Sequence, residues 1–151
     1  VPDFNTFLAE AIATLAHAGQ VDKAGVPYIE HPRAVAGILE ATGHGPEVIQ
    51  AGWLHDVVED TGVTLDDLRG AGFSENVVRA VDAVTRRGGE LYTELIERAA
   101  ADPIGRVVKL ADNTHNSGRL DVLDEPVRSG LARRYAKARA VLIAAEVPHP
   151  G

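Results

Sequence analysis

Cysteine is absent from this chain of 151 residues, which excludes disulfides, thiolate nucleophiles and any zinc site built on cysteine. Aromatic residues are scarce, at 5% of the chain, so a core has to be assembled from Ala, Val, Leu and Ile. No apolar run approaches the length needed to cross a bilayer, and no signal-peptide pattern precedes the first helical pattern. The expectation is a soluble, cytoplasmic protein with no membrane partner. Positive charge is in deficit: 15 Lys and Arg against 22 Asp and Glu give a formal net charge of −7. An acidic chain is poorly suited to nucleic acid, because phosphate contacts need an excess of cations. A local basic cluster or a bound metal still allows a small phosphorylated ligand. The 45% of hydrophobic residues is enough for one core, and a single domain over residues 1–151 is expected.

Apolar spacing of three and four predicts an all-α chain of about seven or eight helices and no strand. The first helix covers 2–18, with Phe4, Leu8, Ala11, Ile12 and Leu15 on its inner face, and Gly19 ends it. A loop follows over 19–30, and Pro32 opens a helix that runs to Gly43. A central helix spans 46–60, and a short one over 65–70 is capped by Thr64 with Asp67. Ser74 caps a helix to about Thr85; a basic turn, Arg86–Gly89, leads to helices over 90–101, 103–116 and 125–146. The last carries the stripe Leu131, Tyr135, Ala138, Val141 and Leu142, and the tail from Val147 frays. Gly52, inside the central helix, costs about 1 kcal/mol relative to alanine, which implies a close helix contact there.

The chemistry is concentrated in Leu54-His55-Asp56-Val57-Val58-Glu59-Asp60-Thr61. His55 with Glu59, and Asp56 with Asp60, are pairs four residues apart on neighbouring parts of one helix face. Stacked acids at that spacing repel, and a cation is the natural way to hold them. His31 sits at a helix entry beside Pro32, and Asp112 follows an apolar run with Asn116 four residues on. Together His31, His55, Asp56 and Asp112 form a mixed nitrogen and oxygen set that suits Mn2+, Fe2+ or Zn2+ better than Mg2+ alone or Ca2+. Four protein ligands on a six-coordinate ion leave room for a water and a phosphate oxygen, the arrangement of metal-assisted hydrolysis. Lys23, Arg86, Arg87, Arg106 and Lys109 are the candidates to hold substrate phosphates. His17, near the end of the first helix, is read as structural.

Four blocks carry a resemblance: Ala16-His17-Ala18-Gly19-Gln20; Gly25-Val26-Pro27-Tyr28-Ile29-Glu30-His31-Pro32; Leu54 through Thr61; and Val108-Lys109-Leu110-Ala111-Asp112 through His115-Asn116. In this order and with these flanks the chain resembles the HD superfamily of phosphohydrolases. It is most similar to the hydrolase domain of RelA/SpoT proteins and to the small alarmone hydrolases. The resemblance implies an HD-type helical bundle with one Mn2+ held by His31, His55, Asp56 and Asp112. It also implies that Glu59 and Asp60 act on the hydrolytic water, and that the 3′-diphosphate is removed from guanosine tetra- or pentaphosphate. Asn116 and Tyr135 match positions that contact the nucleotide. The family's Arg-Lys pair, whose arginine packs on the base, is here Asp22-Lys23, and its Asn-Met-Arg-Thr-Leu is Asn116-Ser117-Gly118-Arg119-Leu120. A carboxylate cannot stack as a guanidinium does. Asp22 is therefore expected to weaken alarmone binding by facing a highly negative ligand, unless Arg119 supplies the missing stacking group. The function classes to separate are an alarmone pyrophosphohydrolase, a phosphohydrolase of another nucleotide (a nucleoside monophosphate or a 2′-phosphorylated dinucleotide), and a non-catalytic nucleotide-binding module.

Overall fold

The computed structural model describes residues 3–146. Regular structure there is helical, apart from one isolated antiparallel bridge between Val21 and Pro27. Nine α-helices occur among the described residues: α1 Phe4–Ala16, α2 Glu30–Ala41, α3 Pro46–Leu54, α4 Val57–Asp60, α5 Leu65–Gly70, α6 Glu75–Val84, α7 Tyr92–Ala101, α8 Pro103–Ser117 and α9 Val127–Glu146. A 3-10 turn, Leu120–Val122, joins α8 to α9. The all-α expectation holds, and no described helix is long and apolar enough to cross a membrane. The expected frayed tail from Val147 lies outside the described residues.

Local chemistry explains most boundaries. Asp3 caps α1 through the Asn5 N–H, and Thr64 and Asp67 form a reciprocal capping box on α5. Ser74 accepts from the Val77 N–H at the start of α6, and Asp102 accepts from Ile104 and Gly105 at the start of α8. The extra helix relative to expectation comes from the central one. It breaks at His55–Asp56 into α3 and α4. His55 Nδ1 lies 2.7 Å from the Gly52 carbonyl, the acceptor that the Asp56 N–H would take in an unbroken helix. The side chain thus displaces one rung of the ladder, and the helical pattern resumes with Asp60 N–H bonded to the Asp56 carbonyl.

Three connected clusters form the core. Ala9, Ala13, Trp53, Leu54, Val57 and Val77 belong to the first; Val35, Leu39, Ala51 and Val108 to the second; Val84, Ile96, Ala138 and Leu142 to the third. Two sequence expectations need correction. On α1 the buried line is Ala9 and Ala13, flanked by Leu8, Ile12 and Ala16, whereas Phe4 and Leu15 are 78% and 77% exposed. Small alanines let α1 lie close on its neighbours, which turns the larger residues outward. On α9, Ala138 and Leu142 are buried but Val141 is exposed.

Gly52 does mark a close approach. A Cβ built there would sit 2.7 Å from Leu39 Cδ1 and 3.5 Å from the Ala36 Cα, and Leu39 is itself buried. Gly52→Ala gains about 1 kcal/mol of helix propensity but overpacks a filled core, which costs roughly 1–3 kcal/mol. The expected outcome is a net loss of stability, read as a lower urea midpoint. A variant as stable as the parent would mean that Leu39 moves aside freely.

Candidate active site

Three helices meet at one buried point. α2 contributes His31 from its first turn, the α3–α4 break contributes His55 and Asp56, and α8 contributes Asp112. One donor atom from each of His31, His55 and Asp112 lies within 4.8 Å of the others. The two Nε2 atoms of His31 and His55 face each other at 3.2 Å. Asp112 Oδ1 is 2.7 Å from His31 Nε2 and 3.5 Å from His55 Nε2. Asp56 Oδ2 approaches from the other element, 3.1 Å from His55 Nε2 and 3.6 Å from His31 Nε2. All four residues expected to act as ligands are therefore brought together.

Each of the four is also held from behind. His55 Nδ1 is tied to the Gly52 carbonyl, which leaves Nε2 as its free face. Tyr28 donates its hydroxyl to Asp56 Oδ2 at 2.6 Å. Lys109 Nζ lies 2.9 Å from Asp112 Oδ2, and Asn116 Nδ2 donates to Asp112 Oδ1 at 3.2 Å. His31 Nδ1 lies 2.7 Å from His115 Nδ1, with the two rings stacked. Tyr28 and His115 were present in the matching blocks but carried no assigned role. For His115 a signal existed, since it lies one helical turn beyond Asp112 on α8. For Tyr28, 28 residues from its partner Asp56, spacing offers none.

The electrostatics follow from burial and its compensation. Burial alone would raise the Asp112 carboxyl, but the Lys109 ammonium and hydrogen bonds from the histidines hold it well below the usual carboxylate range. Burial is likewise outweighed at Asp56 by the His55 imidazole, and that carboxyl is lowered. His55 is pushed down by burial and more strongly up by Asp56 and Asp112, so its pKa is raised. Burial would also lower Lys109, but Asp112 keeps it raised and charged. His115 is lowered by burial and by the neighbouring His31 charge. The His31 Nδ1 edge is taken up by His115, so His31 Nε2 is the nitrogen turned toward the cluster. The charge balance that raises the His55 pKa also favours a divalent cation where two imidazole nitrogens and two carboxylates converge. The donor set fits such an ion.

The cluster opens into a cavity of about 320 Å3. Lys23, Glu59, Lys109, Asn116, Arg119 and Tyr135 all line it, with Leu120, Val122 and Leu123 forming an apolar side. Glu59 Oε1 accepts from the Arg86 N–H at 2.7 Å. Four of the residues expected to hold phosphate or to act on water stand outside this lining. Arg106 does not line the cavity: it lies six residues before Asp112, about two-thirds of a turn round α8, and donates to the Ala100 carbonyl. Arg86 and Arg87 are also absent from the lining. The Arg86 guanidinium binds the Glu90 carbonyl, and Arg87 pairs with Asp82. Asp60 lies outside the lining as well, although its carboxyl is raised by burial and then by the charges of Asp56 and Glu59.

Asp22 is not a free charge. Its Oδ1 accepts the Ala24 and Val26 N–H groups, and its Oδ2 pairs with Arg119 Nη1 at 2.8 Å. Asp22 thus meets the cavity as half of an ion pair, and it holds Arg119, the residue expected to supply the missing stacking group, on the cavity wall.

A family model described as an HD domain matches residues 9–145. The chain belongs to the HD domain family. Among its relatives in that family, the GTP pyrophosphokinase of Streptomyces coelicolor is 37% identical over 143 residues, covering 89% of this chain and 17% of the relative. The guanosine-3′,5′-bis(diphosphate) 3′-pyrophosphohydrolase of Aquifex aeolicus is 36% identical over 134 residues, covering 83% of this chain and 19% of the relative. The bifunctional (p)ppGpp synthase/hydrolase SpoT of Escherichia coli is 35% identical over 136 residues, with the same coverages of 83% and 19%. The HD domain thus spans about a fifth of the length of these relatives. A solved structure, described as a metazoan ortholog of SpoT that hydrolyses ppGpp and plays a role in starvation responses, superposes with a TM-score of 0.81 at 29% identity. That match covers 94% of this chain and 87% of the other.

Two outcomes test the HD-domain site. His31→Ala and Asp112→Ala proteins should purify with little divalent metal by elemental analysis; undiminished content in both would remove the ligand assignment. The second concerns the brace behind Glu59. Arg98 clamps the Glu90 carboxylate at 2.6 Å and the Asp82 and Thr85 carbonyls, fixing the turn that presents the Arg86 N–H. The Arg98 hydrogen bond holds the Glu90 carboxyl at about 2, below its ordinary 4.5. The stability this contributes is present above pH 4.5 and lost as pH falls toward 2. Glu90→Gln should therefore be less stable than the parent by urea unfolding at pH 7, with the gap narrowing at pH 3. A constant gap would mean that the charge is not what holds the turn.

Proposed function

We propose that this domain is a metal-dependent pyrophosphohydrolase that removes the 3′-diphosphate from guanosine tetra- and pentaphosphate, with Mn2+ as its ion. The observation that carries the reading is the convergence of His31, His55, Asp56 and Asp112 beside a cavity whose wall holds Glu59, Lys23, Lys109, Asn116, Arg119 and Tyr135. The relatives that match nearly the whole chain and are named for this hydrolysis support it. So does the size of the cavity, which lies in the range of small-molecule sites.

His31, His55, Asp56 and Asp112 would hold the ion, which when bound polarises a phosphoryl oxygen and lowers the pKa of water. A set of two imidazoles and two carboxylates suits Mn2+; intrinsic affinity would favour Zn2+, with Fe2+ also compatible, so metal supply takes part in the selection. Glu59 is fixed through Oε1 by the Arg86 N–H, which leaves Oε2 to orient the attacking water and take its proton. Asp60, with its carboxyl raised by burial and outside the cavity lining, would pass that proton on rather than touch the substrate. Lys23 is exposed on the wall and free to meet a phosphate. Lys109 reaches the same space while neutralising Asp112. Asn116 and Tyr135 contact the nucleotide, and Arg119 offers a planar cation next to the apolar side formed by Leu120 to Leu123.

Glu59→Gln tests the chemistry. The amide oxygen can still accept from the Arg86 N–H, so metal content should be kept. Turnover of guanosine tetraphosphate to diphosphate and guanosine diphosphate should fall by about 10²–10⁴. Parent-like turnover would remove the role of Glu59, and release of orthophosphate instead of diphosphate would move the domain to another class of nucleotide hydrolase.

A further inference from the structure

We infer that Tyr28 is a positioning residue for the metal centre, acting through the oxygen of Asp56 that faces the two imidazoles. The inference rests on the metal-site reading above and goes beyond it, because no ligand set, family block or spacing assigns this phenol a part. Its hydroxyl donates to Asp56 Oδ2 at 2.6 Å. That oxygen is also the one 3.1 Å from His55 Nε2 and 3.6 Å from His31 Nε2. The hydrogen bond therefore falls on the donor atom itself, and not on the distal carboxylate oxygen. Asp56 stands at the α3–α4 break, where no continuous helix fixes its side chain, so a partner on Oδ2 is what orients it.

The phenol is itself held from several sides. Its ring lies 4.9 Å from the His17 ring and 5.9 Å from the His31 ring. Its N–H donates to the Gln20 carbonyl at 2.8 Å, next to the Val21–Pro27 bridge. His17 is buried and its Nδ1 bonds Gln20 Oε1 at 2.9 Å. The end of α1 and the loop after it are thus built into a support whose output is one hydroxyl. The arrangement has the form of an outer-shell contact that sets a ligating carboxylate.

The experiment measures Mn2+ binding by isothermal titration to purified parent, Tyr28→Phe and Tyr28→Leu proteins, alongside urea unfolding of each after chelator treatment. Phenylalanine keeps the ring contacts and removes only the hydroxyl. The expected result is a Kd for Mn2+ raised about 10- to 100-fold in Tyr28→Phe, with an unfolding midpoint in chelator equal to the parent's. Tyr28→Leu should lose both affinity and stability. An unchanged Kd in Tyr28→Phe overturns the inference. So does a raised Kd accompanied by an equal loss of metal-free stability, which would make Tyr28 a packing residue only. A parent that binds no Mn2+ refutes the metal-site reading itself, which is a separate outcome.

Discussion

The hydrogen bond between His55 Nδ1 and the Gly52 carbonyl has three consequences that the rest of the site builds on. It takes a backbone acceptor out of the helix ladder, so the helix breaks at His55–Asp56 and resumes at Val57 as α4. It commits Nδ1 to donation, so Nε2 is the nitrogen turned toward the cluster. It also requires the helix to pass close to α2, because the residue supplying that carbonyl has no side chain and sits against Leu39 and Ala36. The glycine, the break and the imidazole orientation are one local solution, and α2 arrives at the same place carrying His31.

Around that point the energetic problem is the burial of carboxylates beside imidazoles. An ionised carboxylate out of water is costly unless it is paired and fully hydrogen-bonded. Here the pairing is divided between elements: Lys109 and Asn116 from α8 serve Asp112, Tyr28 from the loop after α1 serves Asp56, and His115 serves His31. The placement of Lys109 shows the division of labour. It was a candidate for substrate phosphate, and it does line the cavity, but its ammonium is already used to keep Asp112 ionised. Its charge acts on a ligand through the sum of the site, while Lys23 remains the exposed cation of the wall.

Much of this was legible in the sequence where the signal is local. The caps at Thr64 and Ser74, the helix over 65–70 and the exceptional Gly52 were each readable from neighbours within four residues. The four residues that converge were readable because His31, His55-Asp56 and Asp112 each sit in a characteristic flank. What stayed hidden depends on contacts between distant segments. Asp22 and Arg119 are 97 residues apart, and nothing in either neighbourhood says that they meet. The inner face of α1 was misplaced for a related reason. Periodicity marks a stripe that includes Phe4 and Leu15, but the choice between that stripe and the alanine line beside it depends on how near the neighbouring helices come. The distribution of the basic residues failed on the same ground. Arg86, Arg87 and Arg106 have carbonyl or carboxylate partners that only the fold supplies.

The Asp22–Arg119 pair shows how a substitution that looks damaging in isolation becomes part of the wall. A carboxylate at position 22 closes its own loop by accepting two backbone N–H groups, which fixes where the remaining oxygen points. Arg119 then spends one nitrogen on that oxygen while lining the same cavity as Leu120, Val122 and Leu123. An arginine anchored at one end loses less conformational freedom on meeting a planar ligand than one free in solvent. The ion pair also removes a negative charge that would otherwise oppose a polyanionic ligand, at a distance where such charges are felt. The acidic surplus of the whole chain, −7, is thus kept from dominating the cavity. Asp22 is neutralised by Arg119 and Asp112 by Lys109, and Asp56 is bonded by Tyr28. Glu59, bonded by the Arg86 N–H, is the carboxylate of the cavity wall without a cationic side chain on it.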